Sequence, residues 1–502
     1  MNHKLIFYCI CMLLFTSCIK QINLYTGDDE QHEGGNNDDD KEKPQEQTYL
    51  YPFGNEVQGD ITAGIFIKVK DAPQVPLEAG MPCLKYNKPL LLLLVQDDCK
   101  QSAYCRTWAA INGKPVSNSD PYPTPTVQEP DKTAQLYYNS AHLRKGDLPP
   151  NVLPAVRTLG STDGTGKEVR FAFTTTLSAE EEWMDQDVDV NPGYEKDYYR
   201  FFMKRGLNWD EIKEMLNYGV GIAFHDVMAE NVNDVEEIKQ HYGIAQSKIQ
   251  EQLAGRKCKM LARPNGNDTY IDAALQYEDI RTMATESNGE DLYPFRAIES
   301  LDKVALNRSF EEVQENIKDE IRQQRRAPER NRKAVHIGVH NTDNDWIKLL
   351  EWINDNYGKD GDDSVWFPSQ EEYYEYNYYR THGNVKVEQT DEHTIKLTVH
   401  LPIGECFYYP SVTVNLSGLK KEDIVSFESD DAVSGLSYNN FKEGIMLNID
   451  CRKHLAEHAT HFVEQYEKDR SNASNKADAL YFVGMLKDSE RKTALLNRIQ
   501  SK

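Results

Sequence analysis

Asp97 and Asp98 stand side by side immediately after an unbroken apolar run over 90–95 that Gln96 closes. Bounded upstream by Pro89, the run reads as a strand buried on both faces, and parallel α/β proteins bind their ligands outside the carboxyl ends of such strands. Other apolar segments end in the same way. His225 and Asp226 follow Gly221-Ile222-Ala223-Phe224, Arg263-Pro264-Asn265-Gly266 follows Met260-Leu261-Ala262, and His340 closes Val335-His336-Ile337-Gly338-Val339. Asp and His are natural ligands of a borderline divalent metal. A second carboxylate can take a proton from a metal-activated water, and a histidine opposite can protonate a leaving group. An arginine beside the free carboxylate would hold it ionised and oriented. The chemistry these groups could do together is metal-assisted hydrolysis.

Each member also has a structural reading. The paired aspartates could cap a helix or hold a structural ion, and His225 could be a hydrogen-bonded interior histidine. Arg263-Pro264-Asn265-Gly266 could be a turn, and His340 could precede a helix that Thr342 or Asp343 is better suited to start. Their joint occurrence at strand ends favours a site.

The elements that must position them follow from hydrophobic period. At 502 residues the chain is long enough for two or three domains. A β segment is expected over 49–88, with its clearest strand at 60–69. Over 89–380, strands at Leu90–Gln96, 169–174, 220–224, 259–262 and 334–339, with a sixth at 364–367, alternate with helices at Trp209–Asn217, 234–253, 310–325 and 346–357. That alternation implies a parallel sheet with right-handed crossovers, and its length favours a barrel, on whose C-terminal face strand-end residues converge. The Pro-rich stretch 108–160 reads as an insertion near that face. Over 381–450 the apolar period falls to two, as in an antiparallel sandwich of Ig-like size, and 451–502 reads as helices.

These residues resemble the polysaccharide deacetylases of the NodB-homology type, carbohydrate esterase family 4. The resemblance covers about 90–380 and implies a deformed (β/α) barrel that removes acetyl groups from a carbohydrate with a divalent metal, commonly zinc. Val95-Gln96-Asp97-Asp98 is similar to the family's first motif, which makes Asp97 the general base and Asp98 a metal ligand. Arg263-Pro264-Asn265-Gly266 is similar to the motif whose arginine supports the base, and His340 matches the late histidine that acts as general acid. His225 matches one metal histidine. The second, expected four residues on, is replaced by Ala229, so Asp226, Glu230 or Asn231 would have to complete the ligand set. That departure keeps a different class open, a carbohydrate-binding lipoprotein that retains the barrel and has lost hydrolysis.

Residues 1–18 resemble a lipoprotein signal: Lys4, an apolar stretch, then Phe15-Thr16-Ser17-Cys18, with Cys18 as the lipidated residue. Residues 19–48 are acidic with almost no apolar side chains after Tyr25, a solvated tether. The expected location is therefore the bacterial cell envelope, with membrane contact through the lipid alone. A formal net charge of −24 argues against nucleic acid as a partner. In an exported protein the cysteines after the signal could pair; Cys99 with Cys105, and Cys406 with Cys451, are the pairings to test, and spacing does not fix the connectivity. His454, His458 and His461 read as a solvated helix face rather than a metal site. The run Tyr373, Tyr374, Tyr376, Tyr378, Tyr379 reads as packing against the sandwich or as a sugar platform. Gly164-Thr165-Gly166-Lys167 is too short for a phosphate loop.

Overall fold

Leu90–Gln96 (β1) is buried at every position because both of its faces are covered. Leu90, Leu92 and Leu94 pack outward among helices, while Leu91 and Leu93 join a second core and Val95 meets Ala223, Met260, Ala262 and Ala284 in the barrel interior. The computed structural model describes residues 48–501 apart from 57–58, 115, 118–151, 154–156, 186–205, 228–231 and 297–298. Around β1 lie β2 (Thr174–Leu177), β3 (Gly221–Phe224), β4 (Met260–Ala262), β5 (Thr282–Thr285), β6 (Val304–Asn307), β7 (Ser309–Phe310), β8 (Val335–Val339) and β9 (Val365–Trp366). The order is β6-β5-β4-β3-β2-β1-β8-β7, parallel throughout. Only Arg308 separates β6 from β7, so the two ends of this path are one piece of chain and the sheet is a nearly closed barrel. On its remaining edge β1 pairs with β9 through Leu90 and Leu91, and with β2 through Val95 and Gln96.

The alternation of strand and helix is as expected, and several boundaries agree. Helix α1 (Trp209–Asn217) starts at Asn208, whose side chain accepts from the Glu211 N–H while the Glu211 carboxylate accepts from the Asn208 N–H. Helices α2 (Val235–Gln252), α3 (Asp268–Gln276), α4 (Gln314–Arg326) and α5 (Asn344–Tyr357) follow. Asp343, not His340, caps α5, accepting from Asp345 and Trp346. The strand expected over 169–174 is two elements: Glu168–Arg170 pairs antiparallel with Gly160–Thr162, and the barrel strand begins only at Thr174. Strands β5, β6 and β7 are missing from the sequence reading. They are two to four residues long, Thr-Met-Ala-Thr, Val-Ala-Leu-Asn and Ser-Phe, too short to show a period.

The tyrosine run forms helix α6 (Gln370–His382). Its Tyr373, Tyr374, Tyr376 and Tyr379 are buried in the core shared with the sandwich, which makes them packing residues. The first turn of α6 closes the N-terminal end of the barrel. Glu371 accepts from the Ile222 N–H and pairs with Arg256 at 2.6 Å, and Glu375 pairs with Lys259 at 2.6 Å, all fully buried. Each charge is paired; Nε and Nη1 of Arg256 and Oε1 of Glu371 find no hydrogen bond among the described residues, and the guanidinium lies instead 4.6 Å and 4.4 Å from the ring centroids of Phe53 and Tyr408.

The sandwich has two four-stranded antiparallel sheets. Ile61–Val69 enters one of them between Thr394–Leu401 and Ile424–Ser429, and Ser411–Ser417 pairs with Gly444–Asp450 in the other. Helices α7 (Leu455–Lys468), α8 (Ala473–Met485) and α9 (Glu490–Gln500) end the chain. On α7, His458 is buried, bonded to Tyr49 and the Asn217 carbonyl, and His461 stacks on Tyr49, so these are interior contacts rather than a solvated face.

Neither expected disulfide forms: Cys99, Cys105, Cys406 and Cys451 are free thiols, and burial pushes the Cys99 and Cys105 thiols up to about 12. Cys18, the leader, the tether, Ala229 and most of the 108–160 insertion lie outside the described residues. Among the described residues no helix is long and apolar enough to cross a membrane.

Candidate active site

The chain leaves β1 through a turn that separates the two aspartates. Asp98 and Cys99 both have left-handed backbone, with φ of 60° and 49°, a conformation costly for a cysteine and tolerated only where surrounding bonds impose it. Here the Cys99 N–H donates to Thr176 Oγ1 at 3.0 Å and its carbonyl accepts from the Leu207 N–H at 3.0 Å. Asp97 therefore stays 2 % exposed inside the barrel mouth while the Asp98 side chain keeps 34 % of its surface.

Asp97 is gripped by Arg308. Nη1 donates to Oδ1 and Nη2 to Oδ2, each at 2.7 Å, the bidentate fork that fixes a carboxylate in position and plane. Glu286, at the end of β5, sits behind the pair: its Oε1 accepts from Arg308 Nε at 3.0 Å and Nη2 at 2.8 Å, and its Oε2 from Arg263 Nη2 at 2.9 Å. Burial opposes the charge of Arg308, but Asp97 and Glu286 outweigh it and hold the guanidinium above its ordinary pKa. The arginine beside Asp97 is thus Arg308, where the sequence pointed to Arg263. Arg263 contacts Glu286, Asp268 and Ser287, and reaches Asp97 only through Glu286 and Arg308.

Asp98, His225 and Asp226 form the second half of the site. One potential ligand atom from each lies within 4.8 Å of the others. The Nδ1–H of His225 donates to the Ala262 carbonyl at 2.8 Å, which leaves Nε2 for the cluster, 3.3 Å from Asp98 Oδ1. A backbone bond on the far nitrogen is how metal-ligating imidazoles are held. Burial would lower the His225 pKa, yet the charge of Asp97, the bond to Asp98, the charge of Asp226 and the bond to the Ala262 carbonyl raise it to about 9. Burial likewise opposes ionisation of Asp98, but the His225 bond and the charge of Lys100, 3.1 Å away, hold its carboxyl well below the usual range. Two carboxylates and one correctly oriented imidazole fit a divalent cation. Asp226 stands where the sequence left the third ligand open.

His340 follows β8 on the same face. Its ring is exposed and stacks on Phe310, 4.9 Å between centroids at 25°. Phe310 is two residues beyond Arg308, so β7 positions both the aromatic shelf under His340 and the clamp on Asp97. The structure brings Asp97, Asp98, His225 and His340 to one barrel mouth and sets Arg263 one layer back. Sequence reasoning missed Arg308 and Glu286. The signal was present only as charged residues just after Val304-Ala305-Leu306-Asn307 and Thr282-Met283-Ala284-Thr285.

A nearly closed parallel barrel with this set at its C-terminal mouth defines an α/β protein of the deacetylase-barrel class. The chain belongs to the family described as "Putative polysaccharide deacetylase", whose model matches residues 63–500, spanning barrel, sandwich and terminal helices alike. No curated protein sequence matches the chain. Membership supports a carbohydrate deacetylase-like hydrolase as the coarse functional class.

Proposed function

We propose that this protein hydrolyses acetyl groups from a carbohydrate in a metal-dependent reaction, with Asp97 as proton acceptor and His340 as proton donor. The observation that carries the reading is the buried Asp97–Arg308 clamp beside the Asp98, His225 and Asp226 cluster. A pure binding barrel has no use for a carboxylate held by a buried bidentate arginine next to three potential metal ligands.

Asp98, His225 and Asp226 would hold the cation. When bound it supplies Lewis acidity and eases ionisation of water. Asp97 takes the proton of the attacking water, and Arg308 holds it in the geometry needed to do so. His340, seated on Phe310 at the rim, delivers a proton to the departing amine or hydroxyl as the acyl bond breaks. Acetate and the deacetylated sugar are the products.

The test joins metal analysis of the purified protein to acetate release from N- and O-acetylated glycans, for wild type and Asp97→Asn. Bound metal with acetate release abolished by Asp97→Asn supports the reading; a metal-free, inactive wild type across a broad panel sinks it. Export and lipidation at Cys18 complete the proposal, and a Cys18→Ala variant found in the membrane fraction would refute that part.

A further inference from the structure

We propose that a second ligand site, for a neutral sugar of about disaccharide size, lies at the opposite end of the barrel from Asp97. A cavity of about 440 Å³ opens where the N-terminal ends of β2 and β3 meet the sandwich and the C-terminal helices, walled by Arg170, Asn217, Ser437, Asn448 and Tyr481 among others. That volume is in the usual range for small-ligand pockets, and junctions between structural layers are where such pockets form.

The lining selects the ligand class. Four acidic and four basic side chains reach the cavity, and several are already paired: Lys85 with Glu372 at 2.8 Å, Arg452 with Asp450 at 2.6 Å. The balance leaves no net field to select an anion or a cation, but many oriented donors and acceptors for hydroxyl groups. Tyr86 and Tyr218 add flat, amphipathic walls suited to the apolar face of a pyranose, whereas Tyr408 and Tyr481 each already carry a guanidinium on one ring face, Arg256 at 4.4 Å and Arg170 at 4.2 Å.

Tyr86 is the most specific feature. Its backbone is left-handed, φ 60° and ψ 18°, as is that of Asn87 at 55°. The strain is held by the Tyr86 N–H donating to Thr413 Oγ1 and by paired amides of Asn87 and Asn415, each at 2.8 Å. Among the described residues its hydroxyl has no hydrogen-bond partner, although the ring is enclosed enough for burial to push its pKa well up. Strained backbone that delivers an unpartnered phenol to a cavity is what a ligand contact requires.

The site is independent of the acetyl chemistry, and its test separates the two. Saturation-transfer NMR on the full chain with cellobiose, maltose and N,N′-diacetylchitobiose, set against glucuronic acid and glucosamine, should show binding of a neutral disaccharide. Tyr86→Phe should weaken it about threefold to tenfold, the loss of one hydrogen bond. Leu480→Trp, at an exposed helical position on the rim, should block it, with unchanged melting curves for both variants. Asp97→Asn should leave it intact. Binding of none of the neutral sugars, preference for a charged one, or loss in Asp97→Asn with retention in Tyr86→Phe and Leu480→Trp would each overturn the proposal.

Discussion

Arg308 and Asp97 meet fork to fork across the barrel, two 2.7 Å bonds between side chains that are 0 % and 2 % exposed. The contact joins the residue between β6 and β7 to the residue after β1, so it also ties the closure of the barrel to the site.

Removing Arg308 should therefore cost both stability and activity. Truncating one partner of a buried ion pair strands the other, at about 3–5 kcal/mol. Arg308→Met is expected to melt far below wild type, while Arg308→Lys, which keeps the charge but loses the fork, should fold and release acetate much more slowly. Arg263→Lys should be milder, because its partners Asp268 and Glu286 are partly exposed and neither is Asp97. Thermal melts and initial rates of acetate release give the ranking, and equal losses for the two lysine variants would contradict it.

The grouping of Asp98, His225 and Asp226 predicts a ligand-dependent stability. Zinc in hundredfold excess over its Kd should stabilise wild type by about 2.7 kcal/mol. His225→Ala should abolish the shift, and Asp226→Asn should reduce it. Full metal occupancy in His225→Ala, read by elemental analysis, would show that the imidazole is not a ligand.

At the rim, His340→Asn should lower acetate release by roughly 10²–10⁴-fold, the usual span of general acid–base catalysis, with metal content unchanged. Phe310→Ala, which removes the shelf beneath the imidazole, should follow in the same direction with a smaller effect. A His340→Asn variant of normal rate assigns the proton to another group.

His336, on β8, reports acid sensitivity of the barrel. Burial first, and the charge of Arg308 second, lower its pKa to about 3. A folded pKa below the unfolded value means the folded state resists protonation. This contribution is fully present above about pH 6.5 and is lost as pH falls toward 3, at about 1 kcal/mol per pH unit in that window. The stability difference between His336→Leu and wild type should therefore grow in favour of the variant on acidification; a difference independent of pH refutes the assignment.

Free thiols are the last expectation. Alkylation under denaturing, non-reducing conditions followed by mass spectrometry should label Cys99, Cys105, Cys406 and Cys451, and under native conditions the half-buried Cys406 before the other three. A recovered Cys99–Cys105 peptide pair would reverse this.

The sequence by itself determined what strong local patterns encode. The apolar run of β1 reads as a doubly covered strand, Asp343 was one of two residues suited to start α5, and the residues after β1, β3 and β8 follow from where those strands end, so Asp97, Asp98, His225 and His340 were legible as strand-end residues. The tertiary structure alone decided the partners. Which arginine clamps Asp97 depends on closing the barrel through β5, β6 and β7, elements too short and polar to show a period, and the clamp spans more than two hundred positions of chain. The choice of Asp226 beside Asp98 and His225, the burial of His458 and the separation of the cysteines are likewise matters of packing, in which contacts between distant segments override the local spacing of residue types.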